Sequence, residues 1–175
     1  MTFPSLHGID HAGYTVPDLT AAVDFFVAHF GARLIFEDGP FQGSGREMTE
    51  RLDVDPAAIL KLAMLRIGDK NLELHEWSTS TQAGPAALSD IDGHHLAFYV
   101  DDIVAAYEYA SHLADVRVLR GPNDVAEEAP VAGQLWFYLV TPWGMHVEIT
   151  NCGTNDFYAG RVGAGMALPE RHILE

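Results

Sequence analysis

Four side chains able to bind a metal ion occur at repeated positions in this chain. His11 and His95 lie 84 residues apart, each in a strand-like stretch that leads into an Asp and a helix-like pattern. Glu73 and Glu148 lie 75 residues apart, in the triplets Leu-Glu-Leu and Val-Glu-Ile. Neutral imidazole nitrogen and carboxylate oxygen are donors that suit Fe(II), Ni, Co, Zn or Mn. The pattern predicts a divalent metal site with His11, Glu73, His95 and Glu148 as ligands.

Strand alternation decides which way these four side chains point. Successive side chains of a strand point to opposite faces. The residues that alternate with the four candidates are mainly apolar and belong on a face that a helix covers; they are Ala12, Tyr14, Val16, Leu72, Leu74, Leu96, Phe98, Val100, Val147 and Ile149. The two histidines and two glutamates then share the other face. Burying imidazole and carboxylate groups there without partners is costly, and a bound metal ion would pair them.

An internal repeat predicts how the elements that carry these residues are arranged. After each histidine strand comes an apolar helical stripe with spacings of four, three and four residues. Its members are Leu19, Val23, Phe26 and Phe30 in the first half, and Ile103, Tyr107, Ala110 and Ala114 in the second. Asp18 is suited to cap the first helix and Gly31 to end it. Each half therefore has the pattern β-α-β-β-β. An internal repeat of this kind is stronger evidence for the fold than any local propensity.

The predicted fold class is α+β, with two tandem βαβββ modules forming a curved, open mixed sheet around a metal-containing cavity. One helix cannot cover both faces of a four-stranded sheet, so pairing the modules would enclose the remaining faces. The predicted boundaries are a leader at 1–8, a first module at 9–77, a linker at 78–92, a second module at 93–151 and a tail at 152–175. Residues 38–55 are predicted to be a long loop with a short helical turn near 48–52, and 121–133 an acidic loop.

The composition restricts which partners the protein is expected to bind and the cellular compartment in which it is expected to work. The chain of 175 residues carries 25 acidic and 10 basic side chains, a formal net charge of −15. Such a surface repels phosphate backbones and anionic membranes, so we expect no nucleic-acid or membrane partner. The lone Cys152 excludes an internal disulfide framework and fits a reducing compartment. With no apolar run of membrane-spanning length, the expectation is a cytoplasmic protein.

Four motifs resemble the vicinal oxygen chelate superfamily, close to its glyoxalase I and methylmalonyl-CoA epimerase branch. They are Ile-Asp-His-Ala-Gly-Tyr-Thr-Val-Pro-Asp-Leu, Leu-Glu-Leu, Gly-His-His-Leu-Ala-Phe-Tyr-Val-Asp-Asp-Ile and Thr-Pro-Trp-Gly-Met-His-Val-Glu-Ile. The resemblance covers roughly residues 7–151. The repeat is a specific marker of this fold and a weak marker of substrate, because one scaffold hosts many chemistries.

The resemblance implies a metal-dependent lyase, isomerase or epimerase of glyoxalase type. In that superfamily the ligands sit on the first and last strands of paired modules, the positions held here by His11, Glu73, His95 and Glu148. The implied cofactor is one divalent ion per site (Ni, Zn, Co, Fe or Mn) that chelates adjacent substrate oxygens and stabilises an enediolate. One glutamate would move the proton, with Glu148 the first candidate and Glu73 the second.

Two other functions stay open at this point. One is an Fe(II) extradiol-type dioxygenase in which Glu73 is not a ligand; the other is a metal-free protein that binds a drug or metabolite. His75 and His146 are predicted to share the face of the glutamates, as substrate contacts or as solvated strand-end residues, whereas His94 is predicted to face the helix side. The expected partners are a small-molecule substrate and a second copy of the chain, as a homodimer.

Overall fold

The computed structural model describes residues 3–80, 82–129 and 131–151. They divide into two compact units, and the chain passes from the first to the second between Ala83 and Gly84. Cys152 and the predicted tail at 152–175 lie outside the described residues. In the described part of the chain, no helix is long and apolar enough to cross a membrane.

The first unit contains one four-stranded mixed sheet and two helices. Its elements are β1 (His11–Thr15), α1 (Leu19–Phe30), β2 (Arg33–Phe41), α2 (Gly45–Leu52), β3 (Ile59–Ile67) and β4 (Lys70–Ser78). The strand order is β1-β4-β3-β2. The first strand runs parallel to the last, and the other neighbours are antiparallel.

The second unit repeats this plan with shorter elements. They are β5 (His95–Tyr99), α3 (Ile103–Ser111), β6 (Arg117–Val118), β7 (Asn123–Asp124), β8 (Leu135–Val140) and β9 (His146–Thr150). The order is β5-β9-β8-β6, with β7 also paired to β8, and β5 runs parallel to β9. The predicted α+β class and the βαβββ modules are therefore confirmed.

The parallel pair in each unit sets the register of the candidate ligands. Gly13 of β1 lies opposite Glu73 of β4, and Ala97 of β5 lies opposite Glu148 of β9. Each histidine stands two residues before that partner on its own strand. Because residues two apart share a face of the sheet, His11 and His95 are diagonal neighbours of the glutamates.

The other face of each sheet packs against its helix and forms the core. Phe26 of α1 is fully buried, as are Leu65 and Leu74 of the first sheet. Ile103 of α3 is buried in the second unit, where the ring of Tyr107 meets Phe137 edge-on at 5.0 Å. Apolar burial of this kind is the main source of stability, and it leaves the polar faces with the candidate ligands uncovered by their own helices.

Helix boundaries follow the predicted caps, with one exception. Asp18 accepts a hydrogen bond from the Ala21 amide at the start of α1, and Gly31 ends the helix at φ 62°, a conformation that glycine adopts without strain. In the second unit the predicted stripe is wrong at its last member. The helix ends at Ser111, and its end tightens into i to i−3 hydrogen bonds, such as Leu113 N–H to the Ala110 carbonyl. Ala114 therefore lies beyond the helix and is exposed.

The predicted loop at 38–55 is wrong at 38–41 and 45–47, whereas the helical turn predicted near 48–52 is present as the second half of a longer helix. β2 continues to Phe41, which pairs with Leu60 after a register shift, because the sheet tolerates Gly39 and Pro40 in an irregular edge strand. The eight residues of α2 follow, started by a reciprocal capping box between Ser44 and Glu47. Within 121–133, the short strand β7 was not predicted either, since two residues carry no periodic signal.

Removal of the α3 cap tests the second module's helix. The Asp102 side chain accepts hydrogen bonds from the amides of Val104 and Ala105. We expect Asp102→Ala to lower the free energy of unfolding by about 1 kcal/mol, because these amides lose their partner. The matched control Glu108→Ala, at an exposed position of the same helix, should change it by less than about 0.5 kcal/mol. Urea denaturation measures both, and equal effects would contradict the assigned cap.

Candidate metal centre

In the first unit the structure brings His11, Glu73 and His75 together. The Nε2 atom of His11 lies 3.3 Å from Glu73 Oε2, and Nε2 of His75 lies 2.9 Å from the same oxygen. All three side chains are partly shielded, with the carboxylate the least exposed at 17%. The contact of His75 agrees with its predicted position on the face of the glutamate.

Asp10 orients the ring of His11. Its Oδ2 lies 2.7 Å from His11 Nδ1, the ring nitrogen that faces away from Glu73. The hydrogen bond that His11 donates to Asp10 is the main cause that raises the pKa of His11, and the charge of Glu73 adds to it. A carboxylate on one ring nitrogen of a histidine is a common partner of metal-binding imidazoles, because it fixes the tautomer that leaves the other nitrogen available.

In the second unit His95 and Glu148 form the equivalent pair, with a tyrosine beside it. His95 Nε2 lies 3.0 Å from Glu148 Oε2, and the Tyr138 hydroxyl donates to that same oxygen at 3.0 Å. Burial, followed by the charge of Glu148, raises the pKa of Tyr138 to about 12. The phenol therefore stays protonated at neutral pH and remains a hydrogen-bond donor.

The two units differ in what stands opposite each glutamate on the antiparallel side. Tyr138 of β8 lies opposite Glu148, whereas Met64 of β3 lies opposite Glu73. On the parallel side, Ala97 stands opposite Glu148 and Gly13 opposite Glu73. The repeated candidate ligands thus lie in surroundings that are not repeated.

Two further histidines, His146 and His94, lie on or beside the strands of the second pair. The ring of His146 meets Tyr138 edge-on at 6.2 Å, and burial is the largest cause that lowers its pKa, followed by the charge of Arg117. His94 precedes β5, where its Nδ1 atom lies 2.9 Å from the Asp92 carbonyl oxygen.

Sequence reasoning missed Asp10 and Tyr138. Asp10 had a readable signal, since it directly precedes His11. Tyr138 could have been found by extending the alternation of Glu148 across to β8, because directly opposed residues share a face.

The donor chemistry of each pair fits a divalent ion. In both units an imidazole Nε2 faces a carboxylate oxygen, the combination expected for Zn, Ni, Co, Fe or Mn. Among the described residues, no group of three or more His, Cys, Asp or Glu side chains is arranged so that it could hold a metal ion. Two of the four predicted ligands lie in each unit, as one imidazole–carboxylate pair.

Replacement of Asp10 tests the orientation of His11. We expect Asp10→Ala to lower the pKa of His11 in the metal-free protein, because the main raising contact is lost. A raised folded-state pKa stabilises the fold at pH values below the unfolded histidine's pKa, and this stabilisation disappears as the pH rises through the folded value. The wild type should therefore exceed the variant in stability near about pH 5 to 6 and converge with it at higher pH. An NMR titration of the His11 ring measures the shift; an unchanged pKa would contradict the contact.

Most of the chain matches a known protein family and a relative with a named activity. Residues 8–149 match the family described as the Glyoxalase/Bleomycin resistance protein/Dioxygenase superfamily. The chain is 42% identical over 153 residues to a 2-epi-5-epi-valiolone epimerase of Actinomyces sp., covering 85% of this chain and 81% of that protein.

Solved structures show the same fold at low identity. A glyoxalase family protein from Bacillus cereus superposes with a TM-score of 0.67 at 16% identity, covering 86% of this chain and 97% of that one. A variant of the fosfomycin resistance protein FosX from Listeria monocytogenes, complexed with Mn(II) and 1S,2S-dihydroxypropylphosphonic acid, gives a TM-score of 0.56 at 17% identity over 86% and 96% of the two chains. With the extent of the family match, these findings show that the chain belongs to the Glyoxalase/Bleomycin resistance protein/Dioxygenase superfamily, the vicinal oxygen chelate proteins.

Proposed function

We propose that this protein is a metal-dependent epimerase of a small polyoxygenated ketone, with 2-epi-5-epi-valiolone as the first candidate substrate. The observation that carries the proposal is the repeated pair of an imidazole Nε2 facing a carboxylate oxygen, one pair in each unit. The name of the 42% identical relative supports an epimerase among the activities that this superfamily hosts.

The proposed ligands are His11, Glu73, His95 and Glu148, holding one divalent ion whose identity is Ni, Zn, Co, Fe or Mn. When bound, such an ion supplies a Lewis acid that polarises a carbonyl and stabilises negative charge on adjacent substrate oxygens. Asp10 supports His11 in this role by fixing its tautomer.

The glutamates would carry out the proton transfer. In an epimerisation of this type, a carboxylate takes the proton from the carbon beside the carbonyl, and the electron pair of that C–H bond moves into an enediolate. A proton returned to the opposite face of the same carbon inverts its configuration, with no net change in composition. A carboxylate within hydrogen-bond reach suits both transfers. Glu148 and Glu73 are the candidates, in the order suggested by the sequence.

Turnover in deuterated water tests the proposed reaction. The reconstituted protein should invert 2-epi-5-epi-valiolone and place one deuterium on the inverted carbon, because the proton passes through an exchangeable carboxylate. Chelator treatment should abolish both effects, and re-addition of metal should restore them. NMR and mass spectrometry follow the product. Absence of stoichiometric metal after reconstitution, or catechol-dependent oxygen consumption in place of exchange, would contradict the proposal.

Removal of either histidine tests the ligand set. Mutation of a group that hydrogen-bonds to a metal ligand typically weakens metal binding by roughly 10- to 100-fold. His11→Ala and His95→Ala should each weaken it by more than this, because they remove a proposed ligand itself. The matched control is His94→Ala, an exposed neighbour of His95, which should bind metal as the wild type does. Metal analysis after dialysis gives the comparison. Equal retention of metal by all three variants would exclude this ligand set.

A further inference from the structure

We propose that Tyr138 is a positioning residue that holds Glu148 as a fixed metal ligand, which leaves Glu73 as the carboxylate that moves the proton. This inference rests on the proposed function and deepens it by dividing the work between the two glutamates. It reverses the order in which the sequence alone ranked them.

The geometry around Glu148 is that of a held ligand. Its Oε2 atom lies 3.0 Å from His95 Nε2 and accepts the Tyr138 hydroxyl at 3.0 Å. A carboxylate oxygen has two lone pairs. Glu148 Oε2 can therefore accept the hydrogen bond from the phenol with one lone pair and face a metal ion held by His95 Nε2 with the other. A donor placed in this way would fix the rotamer of Glu148 both before and after metal binding.

The Tyr138 ring is itself held in place. It meets the ring of His95 edge-on at 5.4 Å and that of Trp136 at 5.5 Å. Tyr138 also lies directly opposite Glu148 in the β8–β9 ladder, so the backbone fixes the separation of the two side chains. Aromatic contacts on either side leave the hydroxyl little freedom to swing away from the carboxylate.

Glu73 has no counterpart of the Tyr138 hydroxyl opposite it in the β3–β4 ladder, and its close contacts are imidazoles. Met64 stands where Tyr138 stands in the other unit, and a thioether is no donor. On the parallel side, Gly13 leaves room, since a Cβ built there would lie 3.6 Å from Glu73 Oε2, a space that the methyl group of Ala97 occupies opposite Glu148. Glu73 Oε2 lies beside His11 Nε2 at 3.3 Å and His75 Nε2 at 2.9 Å. If His11 turns to a metal, His75 stays beside Glu73, and the missing side chain at Gly13 leaves space next to the carboxylate.

The first test is metal affinity, a measurement that does not depend on turnover. Tyr138→Phe should bind Co(II) about 10- to 100-fold more weakly than the wild type in calorimetry, because Glu148 loses the donor that orients it. The visible absorption of bound Co(II), which reports its ligand geometry, should change as well. Tyr107→Phe is the matched control, since its ring packs against Phe137 on the opposite face of the sheet, and it should leave both unchanged.

A reciprocal variant tests the role of Glu73 and does not require Tyr138→Phe to fold. Met64→Tyr places a hydroxyl opposite Glu73 and should reduce the rate of deuterium exchange by at least about tenfold without weakening Co(II) binding. In parallel, Glu73→Gln should keep more of its Co(II) affinity than Glu148→Gln does.

The outcomes separate this inference from the proposed function. Wild-type protein that binds no Co(II) would overturn both. Wild-type protein that binds Co(II) and catalyses exchange, with Tyr138→Phe equal to it in affinity and spectrum, would overturn this inference alone. Unchanged exchange in Met64→Tyr, or loss of metal from Glu73→Gln and Glu148→Gln to the same extent, would overturn the assignment of the moving carboxylate to Glu73.

Discussion

The parallel pairing of the first and last strands of each unit is the constraint on which the candidate centre depends. It sets Gly13 opposite Glu73 and Ala97 opposite Glu148, so each histidine becomes a diagonal neighbour of a glutamate. A slip of one residue in either pair would send one side chain to the helix-covered face. The buried apolar residues that alternate with the candidate ligands therefore maintain this arrangement, because moving them into water is costly.

The two units have the same order of strands and helix around the pair, but they differ in the charged and polar groups beside each carboxylate. In each, a carboxylate and an imidazole share a partly shielded surface, where their mutual approach offsets the cost of desolvation. The first unit adds further ionisable partners, Asp10 and His75, whereas the second adds a neutral donor, Tyr138. The two modules thus repeat the imidazole–carboxylate pair but differ in the groups that surround each carboxylate.

The sequence predicted the modules and the facing of the candidate ligands because the 84-residue repeat, the strand alternation and the helix caps are local patterns. It predicted only the second half of α2, as a helical turn near 48–52, because the start of that helix depends on a single capping box in a Gly- and Pro-rich stretch. It did not predict β7, which exists through pairing with β8. Tyr138 was missed for a related reason. Its role comes from the cross-strand register of β8 and β9, which has to be worked out across the turn at 141–145 and cannot be read from either strand alone.

The most direct measurement of the central claim is anomalous diffraction from crystals of the protein grown with the metal that it retains on purification. The account predicts one metal peak for each set of His11, Glu73, His95 and Glu148, with nitrogen and oxygen ligands at about 2.0–2.2 Å, as for a zinc-type ion. A metal bound by other residues, or separate peaks at the His11–Glu73 and His95–Glu148 pairs, would contradict it.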